Sequence, residues 1–230
     1  MAARPLPVTT VLFDLDGTLA DSAGDLALAL NRVRGEHGLA PVPVEKLREY
    51  ASSGARGLLY AGMGVTPEHG NYDALRDAFL AHYTLCLAET TRLFVGIDAL
   101  LAGIEARGLR WGIVTNKHAR FTMPVVAALG LDKRAAIVVS GDTTPHPKPH
   151  PAPLLHAAEA LRIAPAACVY VGDDLRDVEA GRAAGMATIV AEYGYMGTGG
   201  DPALWPATGW IAQPLELLDW LPSLTSDRKL

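Results

Sequence analysis

Hydrophobic residues in this chain recur in short runs that alternate with amphipathic segments. Six runs, most of them rich in β-branched residues, predict buried strands. They are residues 8–13, 110–115, 136–140, 168–171, 188–191 and 210–212. Apolar residues at helical spacing lie between several of these runs, at 97–107, 121–129 and 153–161. Alternating strands and helices imply a parallel sheet with helices on both faces.

The stretch from about residue 21 to residue 93 breaks this alternation, because it contains helical patterns but no convincing strand. The helical patterns are residues 26–33, 44–50 and 72–87. We therefore predict an α/β fold with a Rossmann-like, doubly wound parallel sheet core formed by residues 1–20 and 95–225. Residues 21–94 are predicted to form a helical cap domain that is inserted after the first strand.

Composition limits the possible partners and the compartment. A net charge of −5 gives no electrostatic reason to expect nucleic acid as a partner. No apolar stretch approaches the ~20 residues needed to cross a bilayer. The two cysteines, Cys86 and Cys168, lie in apolar stretches typical of reduced core residues. We expect a cytoplasmic protein without nucleic-acid or membrane partners, and the sequence does not indicate its oligomeric state.

Two aspartates directly follow the first predicted strand. Residues 14–18 read Asp-Leu-Asp-Gly-Thr, and open parallel sheets bind ligands outside the carboxyl ends of their strands. One of these two side chains could attack an electrophile with its carboxylate. The other, turned by the bend at Gly17, could transfer protons. The alternative is a strand that ends in an acidic turn, with both aspartates only capping it.

Neutral donors and a cation appear in two later motifs. Residues 115–117, Thr-Asn-Lys, end another predicted strand and offer hydrogen-bond donors for phosphate oxygens, or they only cap the next helix. Lys148 lies between two prolines, which stiffen the backbone before the following helix. Its ammonium could neutralise an acidic site, unless it is an ordinary surface lysine.

An acidic cluster follows the predicted strand at 168–171. Asp173, Asp174 and Asp177 supply the hard oxygen ligands that Mg²⁺ prefers. Asp173 is the better candidate for direct ligation, and Asp174 or Asp177 could act through water or orient Lys148. The same residues would also suit the first turn of a helix, where acidic side chains favour the helix dipole.

Together these motifs resemble those of the haloacid dehalogenase superfamily, in the order nucleophile, donor, cation and metal cluster. The resemblance covers essentially the whole chain, and the helical stretch occupies the position of that superfamily's cap. Residues 14–18, 115–117 and 172–174 are similar to its phosphoglycolate phosphatase branch.

Other segments resemble one bacterial group in particular, the N-acetylmuramic acid 6-phosphate phosphatases. They are residues 53–56, 111–117, 171–177 and 193–195. The lysine motif departs from the Lys-Pro-Asp-Pro pattern of these relatives, because His150 replaces the aspartate.

The resemblance implies a two-step phosphoryl transfer. Asp14 would attack phosphorus and form an aspartyl-phosphate, and Asp16 would protonate the leaving alkoxide and later deprotonate water. Mg²⁺ would be held by Asp14, by the backbone carbonyl of Asp16 and by Asp173. The other implied roles are phosphate binding for Thr115, Asn116 and Lys148, substrate binding for Gly17, Lys117 and Arg56, and support of the metal for Asp174 and Asp177.

We therefore expect a magnesium-dependent phosphomonoester hydrolase that acts on a small phosphorylated metabolite, either phosphoglycolate or N-acetylmuramic acid 6-phosphate. A sugar-phosphate mutase of the same superfamily would keep Asp14 and Asp16. A non-enzymatic receiver domain would use similar residues on a similar sheet. In receivers, however, the acidic pair ends the first strand, the phospho-acceptor ends a later one, and no helical insert lies between them.

Overall fold

The computed structural model describes residues 7–225 and contains a parallel sheet at its centre. Its strands are β1 (Thr10–Phe13), β4 (Arg110–Val114), β5 (Val138–Val139), β6 (Cys168–Gly172), β7 (Ala187–Ala191) and β8 (Gly209–Ile211). The strand order is β5-β4-β1-β6-β7-β8, and each neighbouring pair is parallel. Two short strands, β2 (Ala20–Asp21) and β3 (Arg92–Leu93), form a separate antiparallel pair.

Eight α-helices accompany the sheet in the described part of the chain. They are α1 (Ala23–Glu36), α2 (Gly54–Met63), α3 (Tyr72–Leu85), α4 (Ile97–Ala106), α5 (Ala119–Ala128), α6 (Ala152–Ala160), α7 (Leu175–Ala183) and α8 (Leu217–Thr225). None of these helices is long and apolar enough to cross a membrane.

The sheet is buried on both faces, which explains why its strands read as continuous apolar runs. All four residues of β1 and all five of β6 are buried. The chain leaves β1 for β4 and β5 on one side and then crosses to β6 on the other. This change of direction opens a crevice at the carboxyl end of β1, where open α/β sheets bind ligands.

The predicted fold class is confirmed: the protein is an α/β fold with a parallel sheet core and an inserted helical region, α1–α3. Each of the six predicted strands has a counterpart, although the strand predicted at 136–140 is reduced to two residues. The pattern at 44–50 forms short 3₁₀ helices, Val44–Lys46 and Arg48–Ser53, rather than an α-helix.

The sequence predicts no helix at α2, where glycines lower the helix propensity. The helix forms because Leu58 and Leu59 are fully buried against the same apolar cluster as Leu30 of α1. The sequence also predicts no strand within the insert, and β2 and β3 pair only at its two ends.

The inserted helices have an apolar cluster of their own, centred on residues such as Leu30, Leu59 and Phe79. Among the residues that the structure describes, only Phe121 and Tyr195 join its buried part from outside the insert. The separate cluster supports the proposed division into a core (1–20 and 95–225) and a cap (21–94). The predicted core includes residues 1–6, which lie outside the described residues.

The two chain connections to the insert are fastened together by one buried carboxylate. Asp25, in the first turn of α1, accepts hydrogen bonds at one oxygen from Thr90 N (2.7 Å) and Thr90 Oγ1 (2.6 Å). Its other oxygen accepts from Thr91 N (3.2 Å) and Thr91 Oγ1 (2.5 Å). Asp25 and Thr91 are buried whereas Thr90 is exposed, so water could replace the carboxylate only on the Thr90 side.

We expect Asp25→Asn to lower the free energy of unfolding by about 2 kcal/mol, because the amide nitrogen would face a backbone N–H that has lost its acceptor. Urea denaturation measures this change. Asp73→Asn serves as the control, since Asp73 is 81% exposed in its ion pair with Arg76 and should cost less than about 1 kcal/mol. An equal effect of the two substitutions would contradict the importance assigned to Asp25.

Candidate active site

Three carboxylates meet at the carboxyl ends of two neighbouring central strands. Asp14 follows β1, Asp173 follows β6, and Asp177 lies on the first turn of α7. Each contributes an oxygen atom, and these oxygens lie within 4.8 Å of one another. All three residues are buried. We refer to Asp14, Asp173 and Asp177 as the carboxylate cluster.

Lys148 places its ammonium inside this cluster. Its Nζ atom lies 3.0 Å from Asp14 Oδ1 and 2.7 Å from Asp177 Oδ1. It also donates to the hydroxyl of Tyr170 at 2.7 Å, and that hydroxyl lies 2.8 Å from the carbonyl of Val114. Lys148 is therefore not a surface residue but a buried cation with three oxygen partners.

Asn116 fixes the backbone that carries this lysine. Its side-chain oxygen accepts from Lys148 N at 2.9 Å, and its side-chain nitrogen donates to Lys148 O at 2.9 Å. The Asn116 side chain is thus engaged with the Lys148 loop, and the predicted contact of Asn116 with phosphate stays a prediction. His150, at the usual aspartate position, accepts from Ala152 N at 3.1 Å and so supports the start of α6.

Burial and mutual repulsion set the protonation of the cluster. Burial raises the pKa of Asp14 to about 6, although Lys148 opposes the rise. Burial, together with the charges of Asp14 and Asp177, raises the pKa of Asp173 well above its usual range. Burial also disfavours the Lys148 ammonium, but Asp14 and Asp177 outweigh it and raise the pKa of Lys148. One ammonium thus faces three carboxylates, and the cluster favours a further cation.

Asp173 is oriented entirely by neutral donors. Its Oδ1 accepts from Thr18 Oγ1 at 2.9 Å, and its Oδ2 accepts from Tyr195 N at 3.0 Å. Gly17, with φ of +83°, closes the same space, and a Cβ atom there would collide with the Asp173 carboxylate. Only glycine permits both this backbone conformation and this close approach.

These residues fit a magnesium ion. Mg²⁺ prefers octahedral coordination by hard oxygen ligands such as carboxylates, and it usually keeps several waters. The backbone amides of residues 17–20 donate to the carbonyls of Leu15 and Ala20. None of these amides donates to the carbonyl of Asp16, which remains available to the ion. Asp14, Asp173 and the Asp16 carbonyl could therefore hold the ion together.

The two acidic residues whose roles the sequence left open are now distinguished. Asp177 contacts Lys148 and Tyr170 with Oδ1 and accepts from Asp174 N with Oδ2, so it orients the lysine. Asp174 caps α7 by accepting from Arg176 N at 2.9 Å and pairs with the Arg176 guanidinium. Although burial opposes it, Arg176 holds the pKa of Asp174 below its usual range.

Asp16 lies beside the cluster in a different environment. Both its oxygens accept from Lys117 Nζ, at 2.8 and 2.7 Å, and Oδ1 also accepts from Ser22 Oγ at 2.5 Å. Lys117, predicted to bind substrate, is thus engaged with Asp16 and lies over the ring of Tyr83 at 5.0 Å. Burial opposes the Lys117 charge, but Asp16 raises the pKa of Lys117 above its usual range.

A cleft of about 560 Å³ opens between the insert and the core next to these groups. Asp14, Asp16 and Thr115 lie on its core side, and Arg56 of α2 lies on its insert side. Arg56 is exposed and forms no ion pair within 4.0 Å among the described residues. Part of the predicted set therefore lines this cleft, with Arg56 on the opposite wall from Asp14 and Asp16. Lys148, Asp173 and Asp177 do not line it but lie next to Asp14.

Several residues of the site were given no role from the sequence, although Tyr195 lies in the segment 193–195 that carries part of the family resemblance. Tyr170 supports Lys148 from inside β6, Ser22 holds Asp16, and Tyr195 holds Asp173. Ser52 Oγ of the insert also reaches Asp173 Oδ2, at 3.3 Å. Each of these contacts except that of Ser22 joins residues more than 20 positions apart, so local patterns do not indicate them.

Comparison with known proteins places this geometry in a family. The sequence model of the haloacid dehalogenase-like hydrolases matches residues 11–191. The chain is 41% identical over 218 residues to an N-acetylmuramic acid 6-phosphate phosphatase from Pseudomonas aeruginosa. This alignment covers 95% of this chain and 96% of the relative. It is 40% identical over 213 residues to a phosphoglycolate phosphatase from Xanthomonas campestris, with 93% and 95% of the two chains covered.

A solved structure shows the same architecture. The crystal structure of a predicted phosphoglycolate phosphatase from Haemophilus somnus superposes with a TM-score of 0.82 at 25% identity. The match covers 93% of this chain and 97% of that one. The similarity therefore includes the inserted helical region as well as the sheet.

We expect Asp173→Asn to weaken Mg²⁺ binding by at least about tenfold, because the cluster would lose a ligand oxygen and a negative charge. Isothermal titration calorimetry measures the affinity. Asp132→Asn is the matched control, since Asp132 is exposed beyond the end of α5 and should leave the affinity unchanged. Equal Mg²⁺ binding by both variants would contradict a metal site at the cluster.

Proposed function

The chain belongs to the haloacid dehalogenase-like hydrolase family, and from this premise we propose that it is a magnesium-dependent phosphomonoester hydrolase acting through an aspartyl-phosphate. That it is a phosphatase of this family follows from the family match and from relatives at about 40% identity. The observation that carries the proposed chemistry is the carboxylate cluster around Lys148 at the cleft.

Asp14 is the proposed nucleophile. One of its oxygens attacks phosphorus in line, the ester P–O bond breaks, and the phosphoryl group becomes bonded to the aspartate. Asp14 Oδ1 already accepts from Leu15 N at 2.7 Å and from Lys148, which orients the carboxylate. Lys148, with Thr115 and backbone amides, balances the charge on the phosphoryl oxygens.

Asp16 is the proposed acid and base. It gives a proton to the departing alkoxide, and it then takes one from the water that attacks the aspartyl-phosphate and releases inorganic phosphate. In the structure its carboxylate faces Lys117 and Ser22, so this role requires Asp16 to turn toward the leaving group.

Magnesium, held by Asp14, Asp173 and the Asp16 carbonyl, would neutralise the cluster and polarise a phosphoryl oxygen when bound. Without a cation, ionised Asp14 would repel an approaching phosphate dianion. Asp177 and Tyr170 act indirectly in this scheme, because both hold the Lys148 ammonium in place.

The substrate is proposed to be a small phosphorylated metabolite that also carries a carboxylate. Phosphoglycolate and N-acetylmuramic acid 6-phosphate both have this group, and Arg56 is available to bind it with its planar pair of donors. The cleft of about 560 Å³ is larger than a two-carbon acid needs, which favours the sugar phosphate.

Membership of this hydrolase family argues against a receiver domain, because the family's sequence model matches residues 11–191. A mutase would retain the nucleophile and the acid but would protect the phospho-enzyme from water. Release of inorganic phosphate over many turnovers distinguishes a phosphatase from a mutase.

We expect Asp14→Asn to lower kcat by more than about 1,000-fold while the folded structure is retained, because the amide cannot attack phosphorus. The values of kcat and kcat/KM are measured with Mg²⁺ for the unaltered protein and for Asp14→Asn, on phosphoglycolate and on N-acetylmuramic acid 6-phosphate side by side. If the kcat/KM of the unaltered protein is more than about a hundredfold higher for one of the two compounds, close to 3 kcal/mol in the transition state, that compound is the better substrate candidate. Retained turnover in Asp14→Asn would refute the nucleophile assignment.

We expect Asp16→Asn to slow substrates with poor leaving groups most, because an alkoxide needs a proton and a nitrophenolate does not. The kcat values for a sugar phosphate and for p-nitrophenyl phosphate measure this difference. Asp98→Asn is the control, because Asp98 is 78% exposed in its ion pair with Arg134 and does not line the cleft. Equal slowing of both substrates by Asp16→Asn would count against the acid role.

A further inference from the structure

Tyr195 joins the metal carboxylate to the beginning of the insert. Its backbone N–H donates to Asp173 Oδ2 at 3.0 Å. Its hydroxyl accepts from Ser22 N at 2.7 Å and from Ala23 N at 3.0 Å, and it donates to Asp21 Oδ1 at 3.0 Å. The phenol thereby satisfies two backbone amides at the N-terminal end of α1, where no earlier helical carbonyl can accept them.

The position of Tyr195 is fixed from both sides. Gly194, the preceding residue, packs so closely against Gly17 O and the Asp173 side chain that a Cβ atom would collide with them. On the insert side, the Arg48 guanidinium lies over the Tyr195 ring at 5.5 Å and binds both oxygens of Asp21 at 3.0 Å. Movement of either side would therefore be transmitted through this residue.

A second contact joins the insert to the same carboxylate. Ser52, in the 3₁₀ helix Arg48–Ser53, donates from Oγ to Asp173 Oδ2 at 3.3 Å. Its carbonyl accepts from Arg176 Nη2 at 2.8 Å, and Arg176 is held by Asp174. Oδ2 of Asp173 thus receives one hydrogen bond from the core, from Tyr195 N, and one from the insert, from Ser52.

We propose that Tyr195 is a positioning residue that couples the orientation of Asp173 to the docking of the insert, with Ser52 as the second link. The inference rests on the metal site of the proposed function. If Asp173 is oriented for Mg²⁺ in the same state in which the insert is docked, the ion and the docked insert favour each other. Because such coupling is reciprocal, loosening the insert must weaken Mg²⁺ binding.

Tyr195→Phe tests this coupling, because it keeps the ring and the backbone donor and removes only the hydroxyl. We expect the Mg²⁺ dissociation constant, measured by calorimetry, to rise about fivefold or more. In the unaltered protein, Mg²⁺ should slow hydrogen exchange of the α1 amides, and in Tyr195→Phe this effect of Mg²⁺ should be lost. Neither readout depends on turnover.

Two matched controls separate coupling from the loss of a buried hydrogen bond. Tyr193→Phe removes a phenol that donates to Thr18 O at 3.0 Å, a contact within the core. Ser53→Ala is the neighbouring control for Ser52→Ala, which should act in the same direction as Tyr195→Phe. Both controls should leave the exchange response of α1 to Mg²⁺ intact.

The outcomes are distinguishable. Mg²⁺ affinity and α1 exchange equal to those of the unaltered protein in Tyr195→Phe would overturn the inference. An equal loss in Tyr193→Phe would also overturn it, since the effect would then be a general loss of packing. Absence of Mg²⁺ binding in the unaltered protein would instead refute the metal site of the proposed function.

Discussion

One buried ammonium has to balance three carboxylates whose oxygens lie within 4.8 Å of one another, and the rest of the site is arranged around this imbalance. Lys148 contacts Asp14 and Asp177, whereas Asp173 is held only by neutral donors. A buried charge without a partner costs several kcal/mol. The cluster is therefore most stable when a further cation or a proton is present, and the proposed divalent ion would supply that cation.

Much of this site could be predicted because its chemistry follows strands directly. Asp14, Thr115 and Asp173 each come after a buried apolar run, and the carboxyl ends of adjacent parallel strands must meet at one edge. Lys148 was recognisable from its flanking prolines. The sheet itself was equally readable, since strands that are buried on both faces lose the polar alternation that would hide them.

Other features depend on contacts between distant residues, which local patterns do not specify. Asn116 braces Lys148 across 32 positions, and Lys117 reaches Asp16 across 101 positions, so their partners appear only once the strands are in register. The helix α2 escaped prediction for a related reason. Its glycines argue against a helix locally, and the burial of Leu58 and Leu59 decides in its favour.

Ser22 contacts both Asp16 and Tyr195 at the point where the chain enters the insert. Its hydroxyl donates to Asp16 Oδ1, and its backbone N–H donates to the Tyr195 hydroxyl. Tyr195 in turn donates to Asp173. The proposed acid, Asp16, and the proposed metal ligand, Asp173, are thus held by residues on one short path at the point where the chain enters the insert. A shift of α1 large enough to free Asp16 from Ser22 would also disturb the support of Asp173, so the position of the insert affects both carboxylates together.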